Sequence, residues 1–182
     1  RFGEEWLLNS FENLKHYKNS YDISALKKIC SSKPALIVSA GPSLDNNIEG
    51  IRKYRNRFYI FCVDTALNSL IQNSIIPDFV CAVDSQTANF ELIKNINTEN
   101  IDLITTLIVN RQIPPKFKNI FFFSAKSPVD EWLENHGFSA SFVKSSGSVA
   151  TSLFSVIRSA GCNPIIFAGQ DLAFTDNISH SR

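Results

Sequence analysis

The chain has 182 residues, enough for one domain with a sizeable core and a short appendage. It is 44% hydrophobic and 19% charged, and its 18 Lys and Arg nearly cancel its 17 Asp and Glu. A near-neutral chain has no basic footprint for nucleic acid, and no apolar stretch approaches the roughly 20 residues of a membrane helix.

The chain starts at Arg1-Phe2-Gly3, with no initiator Met and no signal-peptide pattern. Met is absent altogether, so the sequence reads as a piece of a longer protein. The four cysteines (Cys30, Cys62, Cys81 and Cys162) include no C-x-x-C pair. Cys62 and Cys81 sit in apolar runs, where a buried thiol is the expectation. Cysteine gives no metal site here, and a reducing, cytoplasmic setting fits.

Residues 1–32 form a lead-in that reads as helical. Phe2, Trp6, Leu7, Phe11 and Leu14 recur at helical spacing, and a second short helix is expected around residues 22–30. The apolar stripe is expected to pack on the main domain or on a neighbour. From residue 33 to 182 the pattern becomes strand, turn, helix. Apolar runs at 35–40, 58–64, 79–85, 102–109, 119–125 and 164–170 predict six strands. They are continuous rather than alternating, so both faces should be buried, as in a parallel sheet. Helical stretches at 45–55, 65–74, 86–96, 128–136 and 148–161 lie between them. The fold class predicted is an α/β, Rossmann-like sandwich with a mostly parallel sheet.

In such a sheet ligands bind outside the carboxyl ends of the strands. The residues at those ends are polar. Gly41-Pro42-Ser43-Leu44-Asp45 follows the first run, Asp64-Thr65 the second, and Asp84-Ser85-Gln86 the third. Asn110-Arg111 follows the fourth and Gly169-Gln170-Asp171 the sixth, while Ser145-Ser146-Gly147-Ser148 precedes the last long helix. Either Gly-containing turn, at Gly41 or at Gly147, can bring a phosphate to a helix N-terminus or can simply be a capped turn. Asp64, Asp84 and Asp171 can hold a ribose, carry Mg²⁺ or act as a base, or can close Asx-turns. Asp171 and His180 are the candidate bases. The glycine patterns of the dinucleotide-binding and P-loop folds are absent.

"GPSLD", "CVDTALNSLIQNSIIPDFVCAVD", "SSGSVATS" and "AGQDLAF" with a later "SH" resemble the motility accessory factor (Maf) flagellin glycosyltransferases. They also resemble the MptE-like 6-hydroxymethylpterin diphosphokinase family. The resemblance covers about residues 33–182. A more distant one is to bacterial sialyltransferases that use a CMP-activated sugar. It implies that Gly41, Pro42, Ser43, Leu44, Asp64, Ser146 and Gly147 line a nucleotide pocket. The strand-end reading adds Thr65, Asp84, Ser85, Ser148, Gly169 and Gln170. Two departures stand out, because Ala40 and Asp64 replace an Asn in those sialyltransferases. Their catalytic His would fall beyond Arg182, so it does not transfer to His180.

The resemblance implies transfer of a nonulosonic sugar from a CMP-linked donor to Ser or Thr of flagellin, with no obligatory metal. Its diphosphokinase side implies ATP and Mg²⁺, with Asp64, Asp84 and Asp171 as the ligands. A non-catalytic nucleotide-sugar-binding scaffold is the third expectation.

Overall fold

The structure is a computed structural model that describes residues 3–144 and 147–172. Chain order begins with helix α1 (Gly3–Tyr17), strand β1 (Tyr21–Asp22), a 3-10 turn and helix α2 (Leu26–Cys30). Alternation follows: β2 (Ala35–Val38), α3 (Leu44–Lys53), β3 (Tyr59–Val63), α4 (Asp64–Gln72), β4 (Phe79–Cys81) and α5 (Thr87–Ile93). Then come β5 (Asp102–Thr105), β6 (Ile120–Phe122), α6 (Pro128–Glu134), α7 (Val149–Ser159) and β7 (Ile165–Ala168).

All six predicted strands form, each shorter than its apolar run. The sheet nevertheless has seven strands, in the order β1-β6-β5-β4-β3-β2-β7, and every neighbouring pair is parallel. The seventh strand is β1, inside the segment read as helical. Two residues carry no periodicity, and β1 exists because Tyr21 and Asp22 pair with Phe121 and Phe122 of β6. Tyr21 stacks on Phe121 at a ring distance of 5.2 Å.

The central strands are buried along their length, which matches their continuous apolarity. β7 is the exception. It lies at the sheet edge with Ile166 and Phe167 exposed. α7 packs on β2 and β3, and α4 packs on β3, β4 and α5. Right-handed crossovers place α3, α4 and α5, which step one way across the sheet, on one face, and α7, which returns, on the other. The four cysteines are free and buried. Burial pushes the Cys30 thiol up to about 12 and raises Cys62 and Cys81 as well. No helix among the described residues is long and apolar enough to cross a membrane.

α1 packs differently from its apolar stripe. Leu7 and Phe11 are 45% and 51% exposed, Trp6 and Leu14 are half-buried, and the buried residues are Asn9, Ser10 and Asn13. The reason is the surface beneath it. Along Asn9 and Asn13, α1 lies against loop backbone at the carboxyl edge of β4 and β5, whose carbonyls face those two amides, while Leu14 and Tyr17 pack on the core. The Asn13 amide donates to the Leu107 and Val109 carbonyls at 2.9 and 2.8 Å. The Asn9 amide donates to Ser85 and Ile108 carbonyls at 3.3 Å. Phe11 reaches sideways to the Trp132 ring of α6, edge on at 6.0 Å.

Candidate functional site

β2 is where the strand order reverses. The chain leaves β2 towards β3, steps outward as far as β6, and returns through α7 to place β7 on β2's other side. A reversal of this kind opens a crevice at the carboxyl edge. Here it holds a cleft of about 570 Å³.

The wall between β2 and β7 is tight backbone. Ser39 N–H donates to Ala168 O at 2.9 Å and Gly41 N–H to Gly169 O at 2.8 Å. A Cβ on Gly41 would lie 2.5 Å from Gly169 O and 2.6 Å from Asp171 Oδ2. Gly169 has φ +68°, and a Cβ there would lie 2.0 Å from Ser39 O. Both positions therefore demand glycine, one for approach and the other for approach and conformation. Ser39 Oγ donates to Gln170 Oε1 at 2.7 Å, tying the two strand ends together beyond the ladder.

Asp171 sits at the start of α3. Its Oδ2 accepts the Ser43 N–H at 2.8 Å, and Ser43 Oγ donates to Oδ1. The hydrogen bonds from Ser43 hold this carboxyl below its ordinary range. The place expected for a ligand phosphate, the helix start after Gly41, is thus held by a carboxylate of the same chain.

Across the cleft, Asp64 opens α4 directly from β3 and is 1% exposed. Its carboxylate accepts from Thr65 N–H at 2.8 Å and from Asn89 Nδ2 at 2.9 Å. Burial raises this carboxyl, the Asn89 and Thr65 bonds pull it down, and the charge of Asp84 adds to the rise. The net displacement is upward. The same Asn89 amide reaches Asp84 Oδ2 at 3.3 Å. One amide from α5 therefore spans two carboxylates. Periodicity places Asn89 on a helix, but only the packing of α5 on α4 reveals that it faces them.

Gly41, Asp64, Thr65, Asp84, Ser148, Gly169, Gln170 and Asp171 all line the cleft. Ser39, Val63, Val149, Ala150 and Leu172 join them without a sequence signal. Ala40 also lines it. Pro42 and Ser43 are half-buried and outside the lining, and Leu44 is fully buried in the core. Ser85 faces the other way. Its Oγ accepts from Trp6 Nε1 at 3.2 Å, and its carbonyl accepts from Asn9 and from Asn110, both at 3.3 Å. Gly147 has φ +78° in open space, and Ser148 caps α7 by accepting the Thr151 N–H at 3.2 Å. Exposed Arg111 donates to Asn9 Oδ1 at 3.1 Å. Ser146 and His180 lie outside the described residues. Among the described residues no three His, Cys, Asp or Glu side chains converge as a metal-ligand set. Asp64 and Asp84 share Asn89, while Asp171 turns to Ser43.

The model of the 6-hydroxymethylpterin diphosphokinase MptE-like family matches residues 8–177. The chain belongs to the MptE-like family. The match begins inside α1, so the family unit includes most of the segment before β2. In fold, this MptE-like chain is similar to the Maf glycosyltransferase of Magnetospirillum magneticum AMB-1. That similarity has a TM-score of 0.72 at 23% identity and covers 80% of this chain and 24% of that one. Two uncharacterized proteins of Treponema pallidum (strain Nichols) are 34% identical over 89 residues and 33% identical over 85. Those matches take in 41% and 15% of the two proteins, so the MptE-like chain spans less than half of each.

Proposed function

We propose that the chain is the nucleotide-sugar-binding core of a glycosyltransferase. Its donor is a CMP-linked nonulosonic sugar, and its acceptor is a Ser or Thr hydroxyl of flagellin. The observation that carries this reading is the cleft at the strand-order reversal. Its two glycines admit no side chain, and its remaining lining combines three carboxylates with hydroxyl, amide and apolar side chains. The fold likeness to a Maf glycosyltransferase supports the reaction class.

In this reaction the acceptor oxygen bonds to the anomeric carbon as the bond from that carbon to the CMP phosphate oxygen breaks. The hydroxyl proton passes to a base, and the electron pair leaves with CMP. Two jobs fall to the protein. One is to meet the charge growing on the departing phosphate, and the other is to supply the base. α3 already carries Asp171 at its start. The leaving phosphate therefore faces the start of α7, whose Ser148, Val149 and Ala150 line the cleft. Asp171 and His180 are the candidate bases. The Ser43 bonds that lower Asp171 make it a weak base as it stands, so its role as base requires the ligand to loosen them.

The family's own description supports a second reading, in which ATP donates a diphosphoryl group to a pterin alcohol. Among the described residues no Lys or Arg lines the cleft, and three Asp do. A triphosphate in that setting needs Mg²⁺ to offset its charge. Melting temperatures with CMP and with ATP, each with and without Mg²⁺, separate the two. A ligand that binds only the folded chain raises the melting temperature. Stabilisation by CMP without metal supports sugar transfer. Stabilisation by ATP alone, and only with Mg²⁺, overturns it in favour of the diphosphokinase. No response to either favours a scaffold.

A further inference from the structure

The opposite edge of the sheet, where the strands begin, carries a second concavity of about 350 Å³. It is lined by Lys33, Arg55, Arg57, Tyr59 and Asp78, with Pro34 and Phe58 beside them. Its size falls at the lower end for small-ligand pockets.

The charges here sort into two groups. Arg55 is built into the fold. It donates to Ile76 O at 3.0 Å and to Asp78 Oδ1 at 2.9 Å, while Asp78 Oδ2 accepts the Ile60 N–H at 2.7 Å. Asp78 is thus neutralised by Arg55 and spent on joining β3 to the start of β4. Lys33 and Arg57 have no such assignment. Neither has an acidic partner within 4 Å among the described residues. Lys33 donates to Tyr59 Oη at 3.1 Å and lies 5.0 Å from the centre of that ring, which fixes its ammonium at the pocket wall.

The ends of α2 and α3 account for neighbouring cations but not for these, although Arg57 closes a three-residue 3-10 turn, Arg55–Arg57. Arg52 and Lys53 lie in the last turn of α3, and Lys27 and Lys28 in α2, where a cation complements the helix dipole. Lys33 and Arg57 come three and four residues after those helices end, in the segments that lead into β2 and β3. From residue 27 to 57 the chain carries seven Lys or Arg (27, 28, 33, 52, 53, 55 and 57) against two acids, Asp45 and Glu49. On a chain of net charge +1, this edge is a local concentration of positive charge.

We propose that this pocket is a second anion site, taking a phosphate monoester or diphosphate between Lys33 and Arg57. Arg55 and Asp78 form its neutral floor. The Tyr59 ring offers a wall on which the non-phosphate part of the ligand can rest. The pocket's charge differs from that of the cleft at the carboxyl edge, which Asp64, Asp84 and Asp171 line. The proposal does not rest on the glycosyltransferase reading.

The test is calorimetric titration of the protein with inorganic pyrophosphate, without divalent metal, at low salt and again at 0.3 M NaCl. The double variant Lys33→Gln/Arg57→Gln is titrated in parallel. Both side chains are exposed, so the variant keeps its fold, as its melting temperature checks. The expected result is saturable binding that weakens with salt and falls at least tenfold in the double variant. A Lys33→Arg variant retains binding. Citrate serves as a carboxylate control, and binding of citrate as tight as pyrophosphate overturns the phosphate assignment. Undetectable pyrophosphate binding to the wild-type protein, or equal affinity in the double variant, overturns the site. CMP is itself a phosphate monoester, so it reports on the cleft through the double variant: CMP that still binds Lys33→Gln/Arg57→Gln is bound at the cleft, and failure of one reading leaves the other standing.

Discussion

Gly41→Ala is the substitution with the clearest arithmetic. The added carbon meets Gly169 O at 2.5 Å and the Asp171 carboxylate at 2.6 to 2.9 Å. Asp171 can swing away, but the Gly169 carbonyl cannot, because it accepts the Gly41 N–H at 2.8 Å. Relief requires β2 and β7 to part at the cleft. Overpacking of this kind costs about 1–3 kcal/mol. Displacing Asp171 also breaks its hydrogen bonds with Ser43. The overpacking alone lowers the melting temperature by about 2–12 °C for a chain of this size.

Three further glycines calibrate the result. Gly169→Ala is worse, because its φ of +68° adds strain to a Cβ only 2.0 Å from Ser39 O. Gly147→Ala has φ +78° in open space and costs about 1–2 kcal/mol from conformation alone. Gly50→Ala, inside α3 with nothing within 4 Å, stabilises by about 0.5–1 kcal/mol. Urea and thermal melts of the four variants give the order. A Gly41→Ala protein that melts like Gly50→Ala would refute the close-approach argument.

Asn13→Ala removes the donor from two buried carbonyls, Leu107 and Val109, and costs about 2–4 kcal/mol by urea melt. A loss below about 0.5 kcal/mol would mean that α1 is not anchored through its amides. Asp64 bears on pH. Its folded carboxyl lies above its ordinary 3.8, so the folded chain holds this proton at a pH where the unfolded chain has lost it. Ionised Asp64 therefore costs stability above its folded pKa, and the cost is relieved as pH falls through that value towards 3.8. Asp64→Asn removes this contribution, so the gap in melting temperature between variant and wild type changes between pH 7 and 4, whereas a constant gap sinks the argument. Asp171→Asn keeps CMP affinity within a few-fold and lowers sugar transfer by roughly 10²–10⁴ if Asp171 is the base; unchanged turnover removes it from the mechanism.

The parallel sheet was legible because burial on both faces writes continuous apolar runs, and β2 to β7 each came from one. β1 was not, because two residues have no pattern and its partner β6 lies about a hundred positions away. The face of α1 misled for a different reason. Amphipathicity assumes an apolar surface beneath the helix, and along Asn9 and Asn13 α1 rests on carbonyls, so those two are buried while Phe11 is exposed. In the cleft, strand-end logic found Gly41, Asp64, Asp84, Gly169 and Asp171. It could not show that Ser85 turns towards Trp6, that Asp171 caps α3, or that Asn89 spans two carboxylates. Those are facts of which side chain meets which across elements, and sequence spacing carries none of them.

Backbone amide shifts of the ¹⁵N-labelled protein, recorded during titration with CMP in the absence of metal, test the central claim most directly. Saturable changes are expected at Gly41, Asp64, Asp84, Ser148 and Gly169, around the reversal between β2 and β7. Changes confined to Lys33, Arg57 and Tyr59 at the opposite edge, or none at saturating CMP, would contradict it.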